Sequence, residues 1–239
     1  MQLEVNQEYA IDGTTEPDLF RNVAEAYREL GQQGLISGRS GNVSLRVGDR
    51  MLITATGTSW DSVTPHSIVS MGLDGRSCTP GRPSCEWQMH AEIYRRKPEA
   101  VAIAHTHSDA CIALSSLRRA IPAFHYMVAA FGGSDVPCTP YAPFGTHELA
   151  CSAADALAGR TACLLANHGA VCHSSSLSGT VLAALALETL ARQYVMALQA
   201  GEPILLTGAE ISAAGKRLTS HALLANACSA GPRTNGVCP

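Results

Sequence analysis

The chain has 239 residues, 46% hydrophobic, 15% charged and 5% aromatic, with 17 basic against 20 acidic side chains and a formal net charge of -3. That is ample apolar sequence for a full-sized core, and there is no basic excess to neutralise a nucleic-acid backbone, so no nucleic-acid partner is expected. The opening residues (MQLEVNQEYAIDGTTEP) lack a positive segment followed by an apolar run, and the longest apolar stretch is broken by Glu188, Arg192 and Gln193; the expectation is a cytoplasmic protein with no signal peptide and no membrane span.

Pro17, Phe20, Val23, Tyr27 and Leu30 recur in steps of three and four and predict a helix that stops near Gly31 to Gly34. A turn, Ser37 to Asn42, follows. Val43, Leu45 and Val47 alternate with polar residues, and Gly48-Asp49 leads into Met51 to Thr54, which reads as a hairpin. Residues 86 to 96 read as a helix ending before Pro98, Val101 to Thr106 as a strand, and Ala110 to Leu117 as a helix. His147 to Leu157 is helical, with Thr146 as N-cap and Gly159 past its end. Ala162 to Ala166 and Ala170 to Cys172 read as strands around the turn Asn167-His168-Gly169, and Gly179 to Ala200 as a long helix closed by Gly201. Helices alternating with strands around one hairpin predict a layered α/β domain with a mixed sheet, over residues 1–222. The tail from Leu223 to Pro239, rich in Ala, Ser, Gly and Asn, is expected to be mobile.

Nine cysteines, an odd number without one C-x-x-C, do not form the framework of a small disulfide-stapled chain. Cys111, Cys151, Cys163 and Cys172 lie in apolar segments and read as small buried hydrophobes. Only Cys85 adjoins residues with a chemical reading.

His105 and His107 stand two apart at the end of a predicted strand, so both imidazoles point to one face. His168 lies where another apolar strand ends in a glycine turn. Three neutral imidazoles with an open fourth position are the usual catalytic zinc arrangement, but spacing alone leaves coincidence equally open. Glu86 opens a helix and reads either as a first-turn acid favoured by the helix dipole or as a base beside a metal-bound substrate. His90, one turn on, reads as its hydrogen-bond partner. Ser40-Gly41-Asn42, Thr56-Gly57-Thr58 and Ser84-Cys85 are small-residue loops able to aim N–H groups at an anion, or simple turns. No Walker A lysine pattern and no G-x-G-x-x-G is present.

In this order, the segments SGNVSLR (40–46), MLITATGTS (51–59), PSCEWQMHAEIYRRKPEA (83–100), AHTHS (104–108), IPAFHYMVAAFGGSDVPCTPYAPFGTHEL (121–149) and LLANHG (164–169) resemble the class II aldolase/adducin family. The 121–149 block is most similar to its fuculose-phosphate aldolase branch. The resemblance implies a three-layer α/β/α domain with a central mixed, largely antiparallel sheet, and a homotetramer with active sites between subunits. It implies His105, His107 and His168 as ligands of Zn2+ and Glu86 as the catalytic acid/base. It implies Gly41, Asn42, Thr56, Gly57, Ser84 and Cys85 as the phosphate site, Tyr126 as the tyrosine reaching the aldehyde end from a neighbouring subunit, and Phe144 as a wall of the aldehyde pocket.

The implied reaction is reversible cleavage of a ketose 1-phosphate, with L-fuculose 1-phosphate the leading substrate, to dihydroxyacetone phosphate and a small aldehyde (L-lactaldehyde). No Schiff-base lysine is needed, and the only lysines, Lys97 and Lys216, lie outside these motifs. The same fold and metal site also serve in sugar-phosphate epimerases, dehydratases and decarboxylases, and a 5-deoxy- or methylthio-ribulose 1-phosphate is the alternative aldolase substrate. Two departures bear on substrate choice: Cys85 stands where the branch has a second serine, and residues 219–224 carry no tyrosine where the branch has one.

Overall fold

The structure is a computed structural model that describes residues 15–229, with side chains to residue 220. Helix α1 (Glu16–Gln32) begins at Thr15, whose side chain and that of Asp18 form a reciprocal capping box with Pro17 in the first turn. Strands β1 (Asn42–Val47) and β2 (Arg50–Thr54) form the hairpin, and β3 (Ile68–Gly72) extends it. Then come α2 (Trp87–Arg96), β4 (Ala102–Thr106), α3 (Asp109–Ser116), a small β5 (Ile121–Pro122) and β6 (Asp135–Val136) ribbon, and α4 (His147–Ala156). The chain continues through β7 (Ala162–Leu165), β8 (Gly169–Ser174), α5 (Leu177–Ala200) and α6 (Gly208–Ser229).

The main sheet runs β3-β2-β1-β4-β8-β7. Every neighbouring pair in it is antiparallel. The expected mixed character reduces to an isolated parallel bridge between Cys138 and Leu164. Alternation along the strands sends side chains to two cores. Val43, Leu45, Leu52, Ala102, Ala104, Leu164 and Cys172 pack on one face with residues of α1, α3 and α5. Met51, Ile53, Ile103, Cys163, Leu165 and Val171 pack on the other with residues of α2 and α4. The result is helix, sheet, helix in three layers.

By length and hydropathy α5 would suffice to cross a membrane. Here it lays Val181, Ala184, Leu187, Leu190 and Ala191 into the core. The cysteine expectation holds for Cys111, Cys163 and Cys172, whereas Cys151 is half-buried. The tail boundary expected at residue 222 falls inside α6, which runs to Ser229; residues 230–239 lie outside the described residues.

Candidate metal centre and active site

Register decides what meets at the edge of the sheet. Asn42 pairs with His105, and His105 with Val171, so β1 and β8 flank the end of β4. Asn42, Ser44 and His105 alternate with the first-core residues Val43 and Ala104, and so face α2. Two glycines permit the close approach of the flanking turns. A Cβ on Gly41, at φ 69°, would lie 2.6 Å from the His105 carbonyl oxygen, and one on Gly169 would lie 2.3 Å from that of Thr106.

There Glu86, His105, His107 and His168 converge, one ligand atom from each within 4.8 Å of the others. The three imidazole centroids stand 4.7, 4.8 and 4.9 Å apart, edge to face. His105 is fully buried, and its Nδ1 donates to the Ala170 carbonyl at 2.9 Å, leaving the Nε2 lone pair for the site. That Nε2 lies 2.9 Å from His107 Nε2 and 3.0 Å from Glu86 Oε2. Glu86 Oε1 is buried without a hydrogen-bond partner, 3.4 Å from His168 Nε2 but not in hydrogen-bonding geometry. Facing imidazole nitrogens and an orphaned carboxylate oxygen fit a divalent cation held by nitrogen and oxygen donors.

The electrostatics agree with that fit. Burial opposes charge on Glu86, but His105, His168 and Asn42 outweigh it and hold the carboxyl well below the usual carboxylate range. Burial likewise opposes charge on His105, which the Glu86 carboxylate overcomes, raising it. Burial, with His105 alongside, pushes His107 and His168 down to about 4, so both rings are neutral near pH 7 and able to ligate.

Behind Glu86 runs a buried hydrogen-bond chain that sequence reasoning did not find. His90 is not the direct partner of Glu86: Asn42 stands between, its Oδ1 2.5 Å from His90 Nε2 and its Nδ2 donating to Glu86 Oε2 at 3.1 Å. His90 Nδ1 lies 2.7 Å from Ser44 Oγ, which lies 2.8 Å from the Tyr94 hydroxyl. Burial pushes His90 down to about 3. The carboxylate accepts only, so Asn42 turns its NH2 toward Glu86 and its carbonyl toward His90. Neutral His90 then donates from Nε2 and accepts from Ser44 at Nδ1. The pattern of small and apolar residues around Ser44 and Tyr94 reads as ordinary core, which hides the chain from a sequence.

The centre opens into a cavity of about 320 Å³ lined by Arg39 to Asn42, Ala55 to Gly57, Ser84 to Glu86, His107, Phe144 and His168. Cavities of about 390 and 490 Å³ open elsewhere against α5, but of these three it is this one that Glu86, His107 and His168 line. The amides of Gly57 and Cys85 have no acceptor among the described residues. The buried Tyr27 hydroxyl sits 3.2 Å from the Ser40 carbonyl and 3.1 Å from that of Thr58, tying two of the loops together. That role is invisible in the helical periodicity that placed Tyr27 in the core. Cys85 is exposed, and burial and Glu86 both raise its thiol, so it is not a thiolate at neutral pH. Phe144 lines the cavity while 71% exposed. Tyr126 is half-exposed and does not line the cavity of its own chain.

Residues 21–195 match the family described as Class II Aldolase and Adducin N-terminal domain. The chain belongs to that family. It is 40% identical over 193 residues to a 5-methylthioribulose-1-phosphate/5-deoxyribulose-1-phosphate aldolase of Rhodospirillum rubrum, covering 81% of this chain and 87% of the relative. It is 38% identical over 206 residues to the L-fuculose phosphate aldolase of Escherichia coli K12, covering 86% and 96%. A solved L-fuculose 1-phosphate aldolase superposes with a TM-score of 0.83 at 32% identity, over 87% of this chain and 99% of that one. The chain is accordingly a class II aldolase, and its group of Glu86 and three histidines is a candidate metal site.

Proposed function

We propose that this class II aldolase cleaves a ketose 1-phosphate to dihydroxyacetone phosphate and a small aldehyde, with L-fuculose 1-phosphate the leading substrate and L-lactaldehyde its product. The observation that carries this reading is one cavity lined by Glu86, His107 and His168 of the histidine–carboxylate group together with the loops Ser40–Asn42, Thr56–Gly57 and Ser84–Cys85. An anion site and a carbonyl-polarising site in one such cavity suit a small phosphosugar.

His105, His107 and His168 would hold the metal, proposed as Zn2+, with Glu86 beside them. When bound, the cation supplies Lewis-acid polarisation of the ketose carbonyl and offsets the negative charge left on the three-carbon fragment as C3–C4 breaks. Glu86 protonates the carbon of that fragment in cleavage and removes the same proton in condensation. Its Oε1 is the free oxygen for this transfer, since Asn42 engages Oε2. The N–H groups of Gly57 and Cys85 and the side chains of Thr56 and Ser84 bind the phosphate, with Gly41 and Asn42 closing that wall. Phe144 shapes the aldehyde end.

Tyr126 exchanges a proton with the aldehyde oxygen across a subunit boundary in a homotetramer. The half-exposed Tyr126 and Tyr141 and the more exposed Phe144 and Leu117 support such a boundary. A cytoplasmic location completes the proposal.

A second substrate has a specific observation in its favour: the Rhodospirillum rubrum relative is named for 5-methylthioribulose 1-phosphate and 5-deoxyribulose 1-phosphate. Comparing kcat/KM for cleavage of L-fuculose 1-phosphate and 5-deoxyribulose 1-phosphate tests the assignment. A clear preference for the former supports the leading substrate, and the reverse ratio replaces it.

A further inference from the structure

The ligands of the centre are not held alike. His105 lies inside the sheet ladder and is fixed from both sides. His107 and His168 lie beyond the ladder, one after β4 and one before β8. Helix α3 joins their surroundings, for it starts two residues after His107 and its far end meets the turn that carries His168.

Three hydrogen bonds make that junction. The Asn167 N–H donates to the Ser115 carbonyl at 2.9 Å, Asn167 Nδ2 to the Ser116 carbonyl at 3.4 Å, and Arg118 Nε to Asn167 Oδ1 at 2.9 Å. Arg118 (φ 53°) and Asn167 (φ 55°) are the two non-glycine residues with positive φ among the described residues. A left-handed arginine is uncommon and persists where its surroundings hold it. The Arg118 guanidinium also lies 5.9 Å from the centre of the Tyr141 ring. At the other end of α3, the N-cap Ser108 makes no side-chain cap bond. Glu188 of α5 takes over, accepting the N–H groups of Ala110 and Cys111 at 2.9 and 3.0 Å.

We infer that α3 is the spacer of the metal centre: the Arg118–Asn167 latch at its C-terminal end, with Glu188 at its N-terminal end, sets His168 against His107. Arg118 and Asn167 are therefore positioning residues for metal affinity, although neither belongs to the ligand group. This holds on the reading of Glu86, His105, His107 and His168 as a metal centre. Releasing the latch leaves the sheet and the buried Cys111 and Leu114 of α3 in place. It frees the backbone of Asn167, and with it the direction of His168.

The test measures Zn2+ dissociation constants by chelator competition for the full-length wild type, Arg118→Gly, Asn167→Gly and the double variant. Glycine keeps left-handed φ accessible, so the variants remove the side-chain contacts of Arg118 and Asn167 and leave the backbone bond from Asn167 to Ser115. Each single variant is expected to bind Zn2+ roughly tenfold more weakly, the usual size for an outer-sphere partner. The double variant is expected to lose no more than either single one, because both changes break the same latch. Absorption of the Co2+-loaded protein, a readout that general destabilisation does not move, is expected to shift in all three.

Folded single variants that bind Zn2+ as wild type does, with an unchanged Co2+ spectrum, would overturn the latch. Additive losses in the double variant would do the same. A wild type that binds neither ion would overturn the metal-centre reading instead. Arg118 is exposed, so Arg118→Gly decides alone if Asn167→Gly does not fold.

Discussion

Glu86 and His90 are one helical turn apart but do not touch, because the Asn42 side chain from β1 stands between them, bonded to both. The hydrogen bonds run with one polarity, from the Ser44 hydroxyl through His90 and Asn42 to Glu86 Oε2. One carboxylate oxygen is thereby anchored and the other left free. That asymmetry is what an acid/base beside a cation requires, since orientation is fixed without occupying the reacting oxygen.

Replacing the free oxygen separates chemistry from metal binding. Glu86→Gln is expected to keep its Zn2+ and lose roughly 10²- to 10⁴-fold in kcat, the range for a general acid/base. His107→Ala is expected to lose both metal and turnover. Metal content by atomic emission beside kcat checks the pair, and near-normal activity in Glu86→Gln would remove its assigned role.

The chain behind Glu86 is expected to matter through orientation. His90→Leu strands the Asn42 carbonyl in the core, a loss of about 1–3 kcal/mol for a buried unpaired group. The expected result is roughly tenfold lower kcat with KM little changed, and a lower urea midpoint. Unchanged kcat in the destabilised variant would make the chain purely structural.

Acid is expected to destabilise the metal-free protein through His90. Its folded value of about 3 lies below the ordinary 6.5, so between those limits the unfolded chain binds a proton that the folded chain does not. Stability therefore falls as pH falls through that window, by about 2 kcal/mol from pH 6.5 to 5 on this group's account. His107 and His168, also lowered, act in the same direction, while the raised His105 opposes them. Urea unfolding at the two pH values isolates the share of His90, because the pH slope shrinks in His90→Leu. An equal slope in both proteins would contradict this.

The proposed phosphate site includes Cys85. A hydroxyl is a better donor than a thiol and is smaller, so Cys85→Ser is expected to lower KM for the phosphorylated ketose about two- to threefold while kcat stays put. Steady-state kinetics checks this. A higher KM in the serine variant would mean that the thiol does not face the phosphate.

The sequence was most informative where local chemistry is strong. Pro17 with the apolar steps to Leu30, the hairpin turn at Gly48-Asp49 and the Thr146 cap mark α1, β1–β2 and α4. The strand β3, the β5–β6 ribbon and helix α6 were not legible. Two-residue strands carry no period, and the end of α6 from Leu223 on has a composition that reads as a tail. In the site, the i, i+2 spacing of His105 and His107 is a property of one strand and could be read directly. The approach of His168, the interposed Asn42 and the Arg118–Asn167 latch join segments 40 to 130 residues apart, and only sheet register brings them together.

The role proposed for Glu86 is to move a proton at the carbon next to the polarised carbonyl. It is tested most directly by proton NMR of dihydroxyacetone phosphate in deuterated water with the metal-loaded protein, with and without a chelator. The account predicts stereospecific loss of one C1 proton signal, abolished by the chelator and by Glu86→Gln. No exchange from folded, metal-loaded protein would contradict it.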